Sequence, residues 1–104
     1  YTEPVVFAEY MYDCAEQGRS RGIHSVMISN GYINAGPLQD LCRVLDAACI
    51  DLKGFTDEYY RELTEGSLNP VLATLKQLKN QKVHTEIVTL IVPGKNDDMQ
   101  QIAP

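Results

Sequence analysis

The 104-residue sequence has no basic tract longer than the "RSR" of Arg19 to Arg21, and its formal net charge is -5. The electrostatic footprint of a nucleic-acid or membrane-surface binder is therefore missing. No apolar run approaches the ~20 residues of a bilayer span, and no charged segment leads into an apolar one as in a signal peptide; a cytoplasmic setting is expected. The three cysteines, Cys14, Cys42 and Cys49, are odd in number and lack CxxC-type spacing, which supports neither a disulfide framework nor a zinc site. Free thiols packed in the core are expected. His24 and His84 have no second histidine or acid at ligand spacing, so no metal role is expected of them. No low-complexity stretch or linker interrupts the chain. At 44% hydrophobic and 22% charged residues, it has the composition of one small globular unit with a modest core. Its partners are then proteins or small molecules, with no nucleic acid and no membrane.

What is present is an alternation. Pro4 suits the first turn of a helix, where its missing N–H is not needed, and Glu3 favours the positive end of the helix dipole. Val6 or Phe7, Tyr10, Met11, Cys14 and Ala15 then form an apolar stripe at spacings of three and four, ending near Gly18 to Gly22. "IHSVMISNG" reads as a buried strand closed by Asn-Gly. A helix from Pro37 to Leu45 should turn Leu38, Leu41, Cys42 and Leu45 inward. "AACIDLKG" is the next strand, Thr56 the N-cap of a helix carrying Tyr59, Tyr60 and Leu63, and Asn69-Pro70 the cap and first position of another with a Leu72, Leu75, Leu78 stripe. "VHTEIVTLIVPG" is the last strand.

Apolar strands alternating with helices, too continuous to leave one face wet, are the pattern of βαβ units. Parallel strands are expected near residues 23–29, 47–52 and 83–92, with helices on the outer face. Three strands cannot close a barrel, and the chain starts and stops within the pattern. The expectation is a single segment, residues 1–104, of a larger (β/α) barrel, incomplete at both ends. Its uncovered edges and inner face predict marginal stability or self-association of the isolated chain.

On the second strand Cys49, Asp51 and Lys53 share one face while Ile50 and Leu52 share the other. In a barrel the charged pair points inward at the rim formed by the carboxyl ends of the strands, where such folds bind ligands. Ser29 and Asn30 end the preceding strand, and Thr2 and Glu3 stand at the end of a strand that would come before the chain. A zwitterionic ligand suits these groups, a carboxylate meeting its ammonium and a lysine its carboxylate. The pair also has a bland account, in which Asp51 and Lys53 neutralise each other while Lys53 snorkels to water.

"YTEP", "MISNGYI", "IDLKGF" and "TLIVPGKND", in this order and spacing, resemble the middle of a radical S-adenosylmethionine (SAM) enzyme of the pyruvate formate-lyase activating enzyme type. Within that group the radical SAM member of the AmmeMemoRadiSam system is nearest. The resemblance implies an α/β fold, a partial (β/α)6 TIM-type barrel, of which the chain covers the end of the second strand to the start of the fifth helix. It implies that Thr2 and Glu3 hold the SAM amino group and that Ser29 and Asn30 contact SAM. Asp51 would face the methionyl ammonium, Lys53 the carboxylate, and the backbone at Val92 would lie near the adenine. The family's CxxxCxxC ligands for a 4Fe–4S cluster are absent from this segment, so no catalytic or metal-ligating residue is expected in it, and the chain alone should be inactive. A family aspartate ahead of Thr-Asn-Gly is replaced by Ile28. A family arginine near Val88 is also missing, which leaves Thr89 or Lys53 for the SAM carboxylate. The implied activity of the parent protein is reductive SAM cleavage to a 5′-deoxyadenosyl radical, as in glycyl-radical-enzyme activases. An electron donor such as flavodoxin or ferredoxin and a protein or small-molecule substrate are implied as partners.

Two other functions fit the residues. Lys53 with Asp51 as acid/base suits a Schiff-base aldolase. A barrel fragment could instead dock a partner through "TDEYYREL".

Overall fold

The computed structural model describes residues 2–103. A 3-10 turn, Pro4–Phe7, runs into α1 (Ala8–Arg19), followed by β1 (Val26–Ser29), α2 (Ala35–Leu41), β2 (Ala47–Asp51), α3 (Asp57–Thr64), α4 (Leu68–Asn80), β3 (His84–Val88) and a short α5 (Met99–Ile102). The strands form one parallel sheet in the order β1-β2-β3. Ile28 pairs with Cys49 and Cys49 with Glu86, while Asp51 pairs with Val88. Parallel neighbours require a crossover between them; α2 supplies the first, and α3 with α4 the second.

The helices cover a single face. Met27, Ala48 and Ile50 point into a core completed by Leu38, Leu41, Leu45, Tyr60, Val71, Leu78 and Val83. Fully burying a side chain such as Leu38 or Leu78 contributes about 1.5–3 kcal/mol. The opposite face, with Val26, Ile28, Cys49, Asp51, Glu86 and Val88 in register, is uncovered, and Val26 and Ile28 are 61% and 56% exposed. The expected strands are thus present and parallel, though shorter than their apolar runs. β1 starts only at Val26, and β3 ends at Val88, leaving Thr89 to Val92 in the following turn. Among the described residues no strand precedes Glu3.

Several helix details differ from expectation. Val6 and Tyr10 are about three-quarters exposed, and Cys14 is exposed as well. The side of α1 that meets the core is Ala8, Met11, Tyr12 and Ala15, so the true stripe lies one position round from the one expected. α2 ends at Leu41, and Leu45 reaches the core from the loop beyond it. α4 begins at Leu68 after Ser67, which places Pro70 at its third position; a proline is tolerated in the first turn because no intrahelical partner is lost there. Val71, Thr74 and Leu78 line its buried side, with Leu72 and Leu75 only half-buried.

An open sheet face that exposes Val26, Ile28 and Val88, with edges that no further strand pairs among the described residues, favours association. The 104-residue chain is expected to self-associate, seen as sedimentation that shifts with concentration. A monomer with a sharp, concentration-independent melt would contradict this.

Candidate functional site

At the carboxyl end of β1, a carboxylate from outside the sheet closes the strand. Glu3 Oε1 accepts from the Ser29 hydroxyl at 2.6 Å and, at 3.4 Å, from the Val5 N–H of the turn it caps. Its Oε2 accepts from Asn30 N at 3.0 Å. Ser29 is buried and its Oγ also accepts from Gly31 N at 3.0 Å, while Asn30 Oδ1 accepts from Tyr32 N at 2.9 Å. Gly31 has φ +75°, a conformation glycine adopts without penalty, and its carbonyl accepts from buried Thr74 Oγ1 at 2.7 Å. The Ser-Asn-Gly turn is therefore fixed from both sides.

At the end of β2, Lys53 Nζ donates to Asp51 Oδ2. The two side chains are 41% and 36% exposed. The ladder runs one bond past the strand, with Leu52 N donating to Val88 O at 2.9 Å and Thr89 Oγ1 donating to Leu52 O at 2.8 Å. The Tyr59 ring covers Gly54 so closely that a Cβ there would lie 2.2 Å from its Cδ1, which accounts for a glycine after "DLK". Thr56 caps α3 as expected, accepting from Tyr59 N at 3.2 Å.

The turn after β3 is organised by Asn96, which is 1% exposed. Its Oδ1 accepts from Val92 N at 2.7 Å, and its Nδ2 donates to Leu90 O at 2.9 Å and to Lys53 O at 2.8 Å. The Val92 carbonyl accepts from Lys95 N and Asn96 N, so both backbone groups of Val92 are engaged within the turn.

Asn30 and Lys53, which follow the ends of β1 and β2, and Glu3, which caps the first turn, line one cleft of about 400 Å³ together with Tyr32, Tyr60 and Glu65. Asp51 joins this group through its ion pair, whereas Thr2 is exposed beside Glu3, and Thr89 sits between the second and third strand ends. Burial pushes the Tyr60 phenol above its ordinary pKa, opposed by the Lys53 N–H it accepts, so the hydroxyl stays protonated. Elsewhere, the N–H of Ser25 and the neighbouring His24 and Arg19 hold the Asp46 carboxyl below the usual range. That cluster lies at the opposite end of β1.

The thiols depart from expectation, since Cys14 is exposed and Cys42 and Cys49 are half-buried. His24 and His84 each have one carboxylate neighbour, Asp46 and Glu86. Among the described residues no group of three metal-ligating side chains occurs. Asn96 and Tyr60 are site residues that the sequence did not disclose. The available signal for Asn96 was the tendency of asparagine to bond nearby backbone in turns.

No protein-family model matches the chain. It is 42% identical over 102 residues to an uncharacterized protein of Methanocaldococcus jannaschii, covering 98% of this chain and 30% of that protein. To pyruvate formate-lyase 1-activating enzyme of Escherichia coli K12 it is 31% identical over 98 residues, covering 92% of this chain and 40% of the enzyme. The chain thus spans well under half the length of these curated relatives. A domain of pyruvate-formate lyase-activating enzyme from Bacteroides vulgatus shares the fold, with TM-score 0.87 at 18% identity over 98% of this chain and 63% of that one. Over this partial region, the chain is homologous to pyruvate formate-lyase activating enzyme and related activases of the radical SAM family.

Proposed function

We propose that the chain is the middle part of a radical SAM barrel enzyme and that its strand ends hold the amino-acid end of SAM. The observation that carries this is the convergence of Glu3, which caps the first turn, with Asn30 and the Asp51–Lys53 pair at the carboxyl ends of β1 and β2. When bound, SAM and a 4Fe–4S cluster held elsewhere in the enzyme supply reductive cleavage, with the electron drawn from a flavodoxin or ferredoxin. Activation of a glycyl-radical protein is the reaction class we assign, with the radical SAM member of the AmmeMemoRadiSam system as the nearest motif pattern.

The residues fit this ligand by charge and by hydrogen-bond capacity. Asp51 and Lys53 neutralise each other and remain accessible to water. A zwitterion can therefore insert with its ammonium on Asp51 and its carboxylate on Lys53, leaving no unpaired charge in the site. Glu3 takes three donors on a carboxylate with about four lone-pair sites, so one acceptor position is left for an ammonium. Ser29 spends its hydroxyl on Glu3 and acts by holding it, while the Asn30 amide supplies a donor. Thr89 keeps the second and third strand ends in register. Val92 offers its half-buried side chain, its peptide groups being engaged within the turn.

The alternatives have less support. A Schiff base needs Lys53 as an uncharged amine, whereas here its ammonium is paired with Asp51. Docking through the tyrosine pair of "TDEYYREL" needs both rings outward, yet Tyr60 is 3% exposed and lies in the core.

In the full-length enzyme, Asp51→Asn and Lys53→Met should each weaken SAM binding by about 1.5–3 kcal/mol, the range for a charge-assisted bond, without loss of fold. Calorimetric titration measures this. Unchanged affinity in both variants, or covalent trapping of Lys53 by a carbonyl compound with borohydride, would overturn the proposal.

A further inference from the structure

A residue just beyond a strand end has peptide groups that the ladder no longer satisfies, and inside a protein such groups must find other partners. Lys53 lies two positions past β2, and both its peptide groups are bonded by side chains. Its N–H donates to the Tyr60 hydroxyl at 3.1 Å and its carbonyl accepts from Asn96 Nδ2 at 2.8 Å. The two residues are 3% and 1% exposed and come from different elements, α3 and the turn after β3. Neither partner is loose. The other two bonds of Asn96 prevent its amide from rotating, and the Tyr60 ring is packed in the core edge-on to Tyr59, at 6.4 Å between centroids, whose own ring covers Gly54.

A lysine carries much rotamer entropy, so a site that needs its ammonium at one place gains from a fixed Cα. Given the SAM site proposed above, on which this rests, we infer that Tyr60 and Asn96 are positioning residues that grip the Lys53 peptide from both sides and aim its ammonium at the ligand carboxylate. Asn96 bonds the Lys53 carbonyl and the Val92 N–H with one amide, so it also fixes the distance between the ion pair and the turn after β3.

The test is Tyr60→Phe in the full-length enzyme, which keeps the ring and deletes the hydroxyl. A lost hydrogen bond of ordinary strength should raise the SAM dissociation constant about five- to tenfold. The affinity for adenosine, which lacks the amino-acid carboxylate, should be unchanged, and Tyr60→Phe should add nothing in a Lys53→Met background. Exchange of the Lys53 amide hydrogen should quicken about tenfold. Asn96→Ala, which removes the donor to Lys53 O and leaves room for water at the turn, is the second variant, expected to weaken SAM and not adenosine should Tyr60→Phe not fold. Equal losses for SAM and adenosine, or a full Tyr60→Phe effect in the Lys53→Met background, would show mere packing and overturn the inference. A wild-type enzyme that binds no SAM would sink the site proposal alone; the clamp itself would then fall if Lys53 exchange were unchanged in Tyr60→Phe.

Discussion

Asn96→Leu is expected to destabilise the chain by about 3 kcal/mol. Leucine matches the amide in size but leaves the Lys53 carbonyl, the Leu90 carbonyl and the Val92 N–H without their partner. An unsatisfied buried group costs about 1–3 kcal/mol. The Leu90 carbonyl is discounted, because Leu90 is 73% exposed and water can replace the lost bond. Small domains are stable by only about 5–15 kcal/mol, so the variant should unfold at markedly lower urea. A change within about 0.5 kcal/mol, the level of an ordinary surface substitution, would mean that the amide does not organise the turn.

Gly31→Ala should have an effect of similar size through different physics. The backbone at Gly31 is left-handed, at about 1–2 kcal/mol for a residue with a Cβ. The added carbon would stand 2.8 Å from Ile50 Cγ2 and 3.3 Å from Val71 Cγ1, both on fully buried side chains. Overpacking of this kind costs about 1–3 kcal/mol, and the turn cannot move aside because Thr74 holds its carbonyl. The sum is about 3 kcal/mol. Gly36→Ala is the internal control, since it lies in α2 and its Cβ would meet nothing within 4 Å. It should be neutral or stabilising by up to about 1 kcal/mol. Similar denaturation midpoints for the two variants would refute the account of Gly31.

The sheet was legible in the sequence because its strands are short apolar runs stopped by glycine, and the cap at Thr56 because its hydroxyl and two following acids form a local signal. The phase of α1 was not. Val6 or Phe7, Tyr10, Met11, Cys14 and Ala15 form as good a stripe as Ala8, Met11, Tyr12 and Ala15; Met11 and Ala15 belong to both, and periodicity alone cannot choose between the neighbours on either side. α4 has the same ambiguity, settled by Thr74, a polar residue turned inward to bond Gly31 O. The candidate site was half legible. Asp51 and Lys53 drew notice because two opposite charges interrupt a core strand. Asn96 sits in "GKNDD", which by composition is a solvent-exposed turn, and its burial follows from contact with a residue 43 positions earlier.

That separation bears on how the site comes into being. The bonds that join its parts span 26 residues for Ser29–Glu3, 27 for Asn30–Glu3 and 43 for both Asn96–Lys53 and Thr74–Gly31. Each closes a long loop, whose entropy must be overcome before the contact gives anything back. Local structure alone therefore supplies only short-range pieces such as the Asp51–Lys53 pair and the Tyr60 contact to Lys53, two and seven residues apart. Glu3 meets Ser29 only when the first turn has docked on β1, and Asn96 meets Lys53 only when β3 has paired with β2. Competence to bind should arise at one late step, making ligand binding a direct reporter of completed folding.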